Sequence, residues 1–124
     1  MSGIARLWDV GKGNPLVAGP INFESGDETK VVLAGVSGYR IVPVWVYIGE
    51  YGVEAPVIVI TIDGNVSGNL IFKTGIRASF HQGQTVNFHG GLFNLLNRGE
   101  GVDATIENTA LPTFWYITMG YYLV

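Results

Sequence analysis

The sequence predicts an all-β fold: an antiparallel β-sandwich of the jelly-roll kind, preceded by an extended N-terminal arm. Two observations carry this expectation. Eighteen of the 124 residues are glycine and five are proline, and the longest stretch free of both is the ten residues 102–111. A typical helix needs about 11–12 residues, and an interior glycine or proline costs it about 1 or 3 kcal/mol. The chain is also 48% hydrophobic with only 14% charged residues, enough apolar content to offset its chain entropy and form one core. Together these exclude a helical bundle, a coiled coil, a membrane-spanning helix and a disordered chain.

The elements follow from the punctuation. Residues 1–14 read as the arm, carrying Ile4, Leu7 and Trp8 before the turn-forming string Gly11-Lys12-Gly13-Asn14-Pro15. Residues 15–124 read as a single sandwich domain. Leu16–Phe23 is a first strand, interrupted at Gly19-Pro20, and an acidic turn, 24–28, leads into a second at Lys30–Ala34. Tyr39–Ile48 and Val57–Asp63 are rich in β-formers, and Asp63-Gly64-Asn65 marks a hairpin. Leu70–Lys73, Arg77–His81 and Thr85–Phe88 read as short separate strands. Gly91–Leu96 fits either a strand or a helical turn. Val102–Glu107 alternates apolar with polar, and Phe114–Val124 closes the chain. The expected total is nine or ten strands at intervals of about 8–12 residues.

Two strands carry apolar residues on both faces. Between Tyr39 and Ile48, the even positions Val42, Val44, Val46 and Ile48 form the expected core row. The odd positions add Tyr39, Trp45 and Tyr47 where a solvated face would be polar. Pro43 lacks a ladder donor, which places this strand at a sheet edge or a bulge. The last strand sets Trp115 and Tyr121 on one parity and Tyr116 and Tyr122 on the other. Tyr and Trp are enriched in buried interfaces. Tyr39, Trp45, Tyr47, Trp115, Tyr116, Tyr121 and Tyr122 are therefore the expected subunit-contact residues of a homo-oligomer. The arm residues Ile4, Leu7 and Trp8 are expected to engage a partner.

Chemistry is sparse. His81 and His89 lack the spacing of a zinc site, and Glu24, Asp27 and Glu28 lack that of a calcium loop. Asp63, Asn65 and Asn69 read as turn residues. Asn65-Val66-Ser67 matches a glycosylation sequon, a match without meaning where no signal peptide is expected. The charged turn Arg98-Gly99-Glu100 reads as a salt-bridged hairpin tip or an inter-subunit ion pair. No nucleophile, phosphate loop or cofactor motif is present, so neither catalysis nor a cofactor is expected. A net charge of −3 and a pI near 5.2 argue against nucleic acid as a partner. The N-terminus has no apolar segment of the secretory kind, so neither a membrane nor export is expected.

Two stretches, KVVLAGVSGYRIVPVWVYI and FNLLNRGEGVDATIENTALPTFWYITMGYYLV, together about half the chain, carry a family likeness. They resemble the small all-β structural proteins of tailed bacteriophages, of the capsid decoration and head-fibre type. The resemblance implies a non-enzymatic virion protein made in the host cytoplasm, trimeric, that binds the major capsid protein or another virion protein. A tail or fibre component, or a lectin-like module using an aromatic β face, is the alternative.

Overall fold

The computed structural model describes residues 15–23, 28–52, 57–77, 83–89, 91–107 and 113–124. Eight strands lie in them: β1 (Leu16–Phe23), β2 (Glu28–Leu33), β3 (Ile41–Gly52), β4 (Val57–Gly64), β5 (Leu70–Arg77), β6 (Gly83–Asn87), β7 (Val102–Glu107) and β8 (Thr113–Leu123). They form two four-stranded antiparallel sheets. The front sheet has the order β1-β8-β3-β6 and the back sheet β2-β7-β4-β5. First pairs with last, second with second-last, and so inward to the β4–β5 hairpin. A chain doubled on itself and wrapped in this way is a jelly roll, the expected architecture.

The interior is built by alternation. Val102, Ala104 and Ile106 of β7 are fully buried, as their spacing predicts. They meet Ile60 and Ile62 from β4, and Trp115, Ile117 and Met119 from β8. Phe23, Ile41, Val46, Ile48 and Leu96 complete the centre of this core. Each large aliphatic or aromatic side chain buried there contributes on the order of 1.5–3 kcal/mol.

The structure corrects three expectations. The strand count among the described residues is eight, because Leu70–Arg77 runs unbroken through Gly75, which pairs with Val59. Residues 78–82 lie outside the described ones. Gly91–Leu96 is neither strand nor helix but a string of turns and bends. Of the two placements Pro43 allows β3, a sheet edge or a bulge, the structure has the bulge: the strand is interior, flanked by β8 and β6. Its Pro43 is accommodated by a bulge, with Pro43 opposite Tyr121 and Trp45 opposite Gly120, leaving Val44 as the extra residue. The bulge switches parity, so Ile41, Val46 and Ile48 face the core, whereas Val42 is buried outside it, beneath Gly91. The segment after β6 follows the bulge: Phe88 N donates to Val44 O (2.7 Å) and Leu92 N to Pro43 O (2.9 Å).

Candidate functional site

The outer face of the front sheet can be assembled row by row from the register. One row runs Val17–Gly120–Trp45–Asn87. The next holds Thr118, Tyr47 and Thr85, and the third runs Asn22–Tyr116–Gly49–Gly83. Each aromatic lies down across a glycine of the adjoining strand. A Cβ at Gly120 would overlap the Trp45 indole, one at Gly49 the Tyr116 ring, and one at Gly83 the Tyr47 ring. The glycines leave flat backbone on which the rings pack, an aromatic–glycine pairing that compensates for the missing side chain.

Tyr47 and Tyr116 sit 5.8 Å apart between ring centroids, tilted by 41°. The separation is within the range of favourable aromatic contacts. With Trp45, Thr85, Asn87 and Thr118 they line an open groove of about 580 Å³. Small-ligand sites span roughly 300–1,000 Å³. Trp45, Tyr47 and Tyr116 are all half-buried, whereas Thr85 and Asn87 are exposed. None of the six lining residues is charged.

No family model, curated protein or solved structure matches this chain.

The other expected contact residues are divided by the fold. Trp115 is only 1% exposed and belongs to the core, because its parity on β8 points between the sheets, so it is not available to a partner on the surface. Tyr121 shares that parity and packs partly against the core. Tyr122 lies opposite Val42 near the end of β8, half-buried, and Tyr39 is half-buried in the segment entering β3. Ile4, Leu7 and Trp8 lie outside the described residues, as do Glu24, Asp27 and His81. His89 is exposed in the turn after β6, and among the described residues no three His, Cys, Asp or Glu side chains gather as a metal group would.

The charged turn is neither of the things expected of it. Glu100 is buried, and its carboxylate accepts backbone N–H groups from Val66 (2.8 Å), Asn97 (2.9 Å) and Ser67. Arg98 instead donates to the carbonyls of Gly38 (2.9 Å) and Val124 (3.3 Å). Glu100 thereby fastens the β4–β5 turn of the back sheet, while Arg98 fastens the segment entering β3 and the end of β8. Burial alone would raise the Glu100 carboxyl. The N–H donors of Asn97, Ser67 and Val66, with the Ser67 hydroxyl, outweigh it and hold the group below its usual 4.5. Sequence pattern missed this role because a glutamate two residues from an arginine in a glycine-rich turn reads as half of an ion pair.

Beside this clasp, Asp63 and Asp103 stand directly opposite each other on the outer face of the back sheet. Asp103 Oδ1 is buried without a hydrogen-bond partner. Burial, then the charges of Asp103 and Glu100, raise the Asp63 carboxyl above its usual 3.8. A raised carboxyl means the folded state holds its proton longer than the unfolded chain. Stability from this group therefore falls as pH rises through the folded value, and the repulsion is fully present at neutral pH. Asp63→Asn is expected to stabilise the protein at pH 7 by about 0.2–1 kcal/mol, the scale of a like-charge cross-strand pair. Urea unfolding at pH 7 and at pH 3.5 checks this, because the advantage should shrink at the lower pH.

Proposed function

We propose that this protein is a non-enzymatic structural protein of a virion, a decoration-type domain that self-associates, most simply as a trimer. Its partners on this reading are further copies of itself and the major capsid protein or another virion protein. It works by burying surface, with no chemical step. The observation that carries the self-association is the free edge of the front sheet. Among the described residues β1 pairs with β8 alone, and it exposes Leu16 (50%) and Val17 (58%). An edge strand with apolar side chains and an open ladder is a template for pairing with another chain. Tyr121 and the half-buried Tyr122 lie at the end of the adjoining strand β8, beside Leu16, and Tyr is a residue that interfaces favour. At its other end β1 is engaged by Lys30 of β2, whose Nζ donates to Asn22 O (2.7 Å) and pairs with Glu28 (3.3 Å), so the reading rests on the Leu16–Val17 end. The likeness to phage decoration proteins supplies the virion setting.

Sedimentation equilibrium at micromolar concentration tests the association. The wild-type chain should sediment as an oligomer, and Leu16→Lys should weaken its association by about tenfold or more, through a desolvated charge at the edge. A wild-type monomer at that concentration would sink the reading. The lectin-like alternative draws on a different surface, the groove between Trp45, Tyr47 and Tyr116.

A further inference from the structure

We infer that the groove on the outer face of the front sheet is a carbohydrate site, and that its ligand is a neutral glycan built of pyranose units. It opens over β8, β3 and β6, with Trp45 seated on Gly120 beside Val17 of β1, and the inference does not rest on assembly through that edge.

Trp45, Tyr47 and Tyr116 supply the aromatic lining of the groove. Aromatic ring faces carry a partial negative charge, and the axial C–H groups of a pyranose present a weakly positive apolar face to match. The rest of the lining is Thr85, Asn87 and Thr118. Their hydroxyl and amide groups both donate and accept, as ring hydroxyls do. An apolar wall beside a few uncharged hydrogen-bonding groups suits a ligand with one apolar face and a polar rim. It does not suit a charged ligand, which would lose hydration with no counter-charge among the six lining residues. It also does not suit a dry protein contact, because burying Asn87, Thr85 and Thr118 unpaired would carry a desolvation cost.

The glycines add a second argument. Gly120, Gly49 and Gly83 each seat one ring, and Tyr47 and Tyr116 also brace each other. The rings are held in place before a ligand arrives, so little side-chain freedom remains to be lost on binding.

The experiment presents the purified full chain to an array of neutral and acidic glycans from plant, animal and bacterial sources. Retained glycans are then titrated as soluble oligosaccharides against wild type, Trp45→Ala and Asn87→Ala. The expected result is retention of neutral glycans, with affinity falling about tenfold in Trp45→Ala and about threefold in Asn87→Ala. Asn87 is exposed, so its variant reads binding without disturbing the core, and both variants should sediment as the wild type does. Retention of no glycan would overturn the inference, as would retention of acidic glycans alone or unchanged affinity in both variants. Acrylamide quenching of wild type and Trp45→Phe completes the test. If Trp45 is shielded in the oligomer and becomes accessible when the Leu16→Lys chain is diluted until it sediments as a monomer, the groove is a subunit contact and the inference fails, while the assembly reading survives.

Discussion

Glu100→Ala is expected to cost about 3–5 kcal/mol. The substitution leaves the backbone N–H groups of Val66, Ser67 and Asn97 without the carboxylate they share. A hydrogen bond to a charged group contributes about 1.5–3 kcal/mol, and a buried donor left unmade costs about 1–3 kcal/mol. Water entering the vacated site recovers part of the simple total. Against a typical domain stability of about 5–15 kcal/mol, this loss is enough to unfold a large share of the molecules. Glu100→Gln should fall between, because the amide keeps one acceptor oxygen but turns an N–H₂ group toward backbone donors. Urea unfolding at pH 7 measures both. The acid limb provides a second reading. Glu100 is held below its usual 4.5, so its contribution is complete above that value and is lost as pH falls through the lower folded value. The alanine variant should lack that limb, and a wild-type loss near 1 kcal/mol or less on substitution would show that the clasp does not hold the turns together.

Trp115→Ala and Trp45→Ala should separate widely, although both tryptophans sit on strands with two apolar faces. Trp115 is 1% exposed between the sheets, and its removal opens a cavity worth about 3–5 kcal/mol. Trp45 lies on the outer face over Gly120 and remains half-buried. Truncating it forfeits only partial burial, about 1 kcal/mol. Thermal melts of the two variants side by side check the order. Equal losses would mean that the register of β3 on β8, which places Trp45 outward, is wrong.

How far the sequence foretold this structure depends on how local the determining interactions are. The β7 row of Val102, Ala104 and Ile106 was plain, because alternation is a property of neighbouring residues and the whole strand keeps one register. The core row of β3 was legible only beyond the bulge. Pro43 announced an irregularity, but nothing near it says that Val44 is the extra residue or that Ile41 replaces Val42 in the core. The candidate groove was half legible. Trp45 and Tyr47 stood out as aromatics where polar residues belong. The union of Tyr47 with Tyr116, and of each ring with its glycine, depends on cross-strand register between segments far apart in sequence. Glu100 was illegible for the same reason: two of its three N–H partners come from a turn more than thirty residues away.

The rings resting on Gly120, Gly49 and Gly83 carry a consequence for how this surface changes over time. The tilt of each aromatic is dictated by what lies underneath it, not by anything it touches above. A methyl group added at one of the three glycines would push its ring upright and turn a level shelf into a ridge, with every exposed contact residue unchanged. At the buried Gly49 and Gly120 the contour of the face is thus encoded in positions hidden from whatever meets it. Selection for a new partner has a route through those concealed positions that leaves the visible chemistry intact.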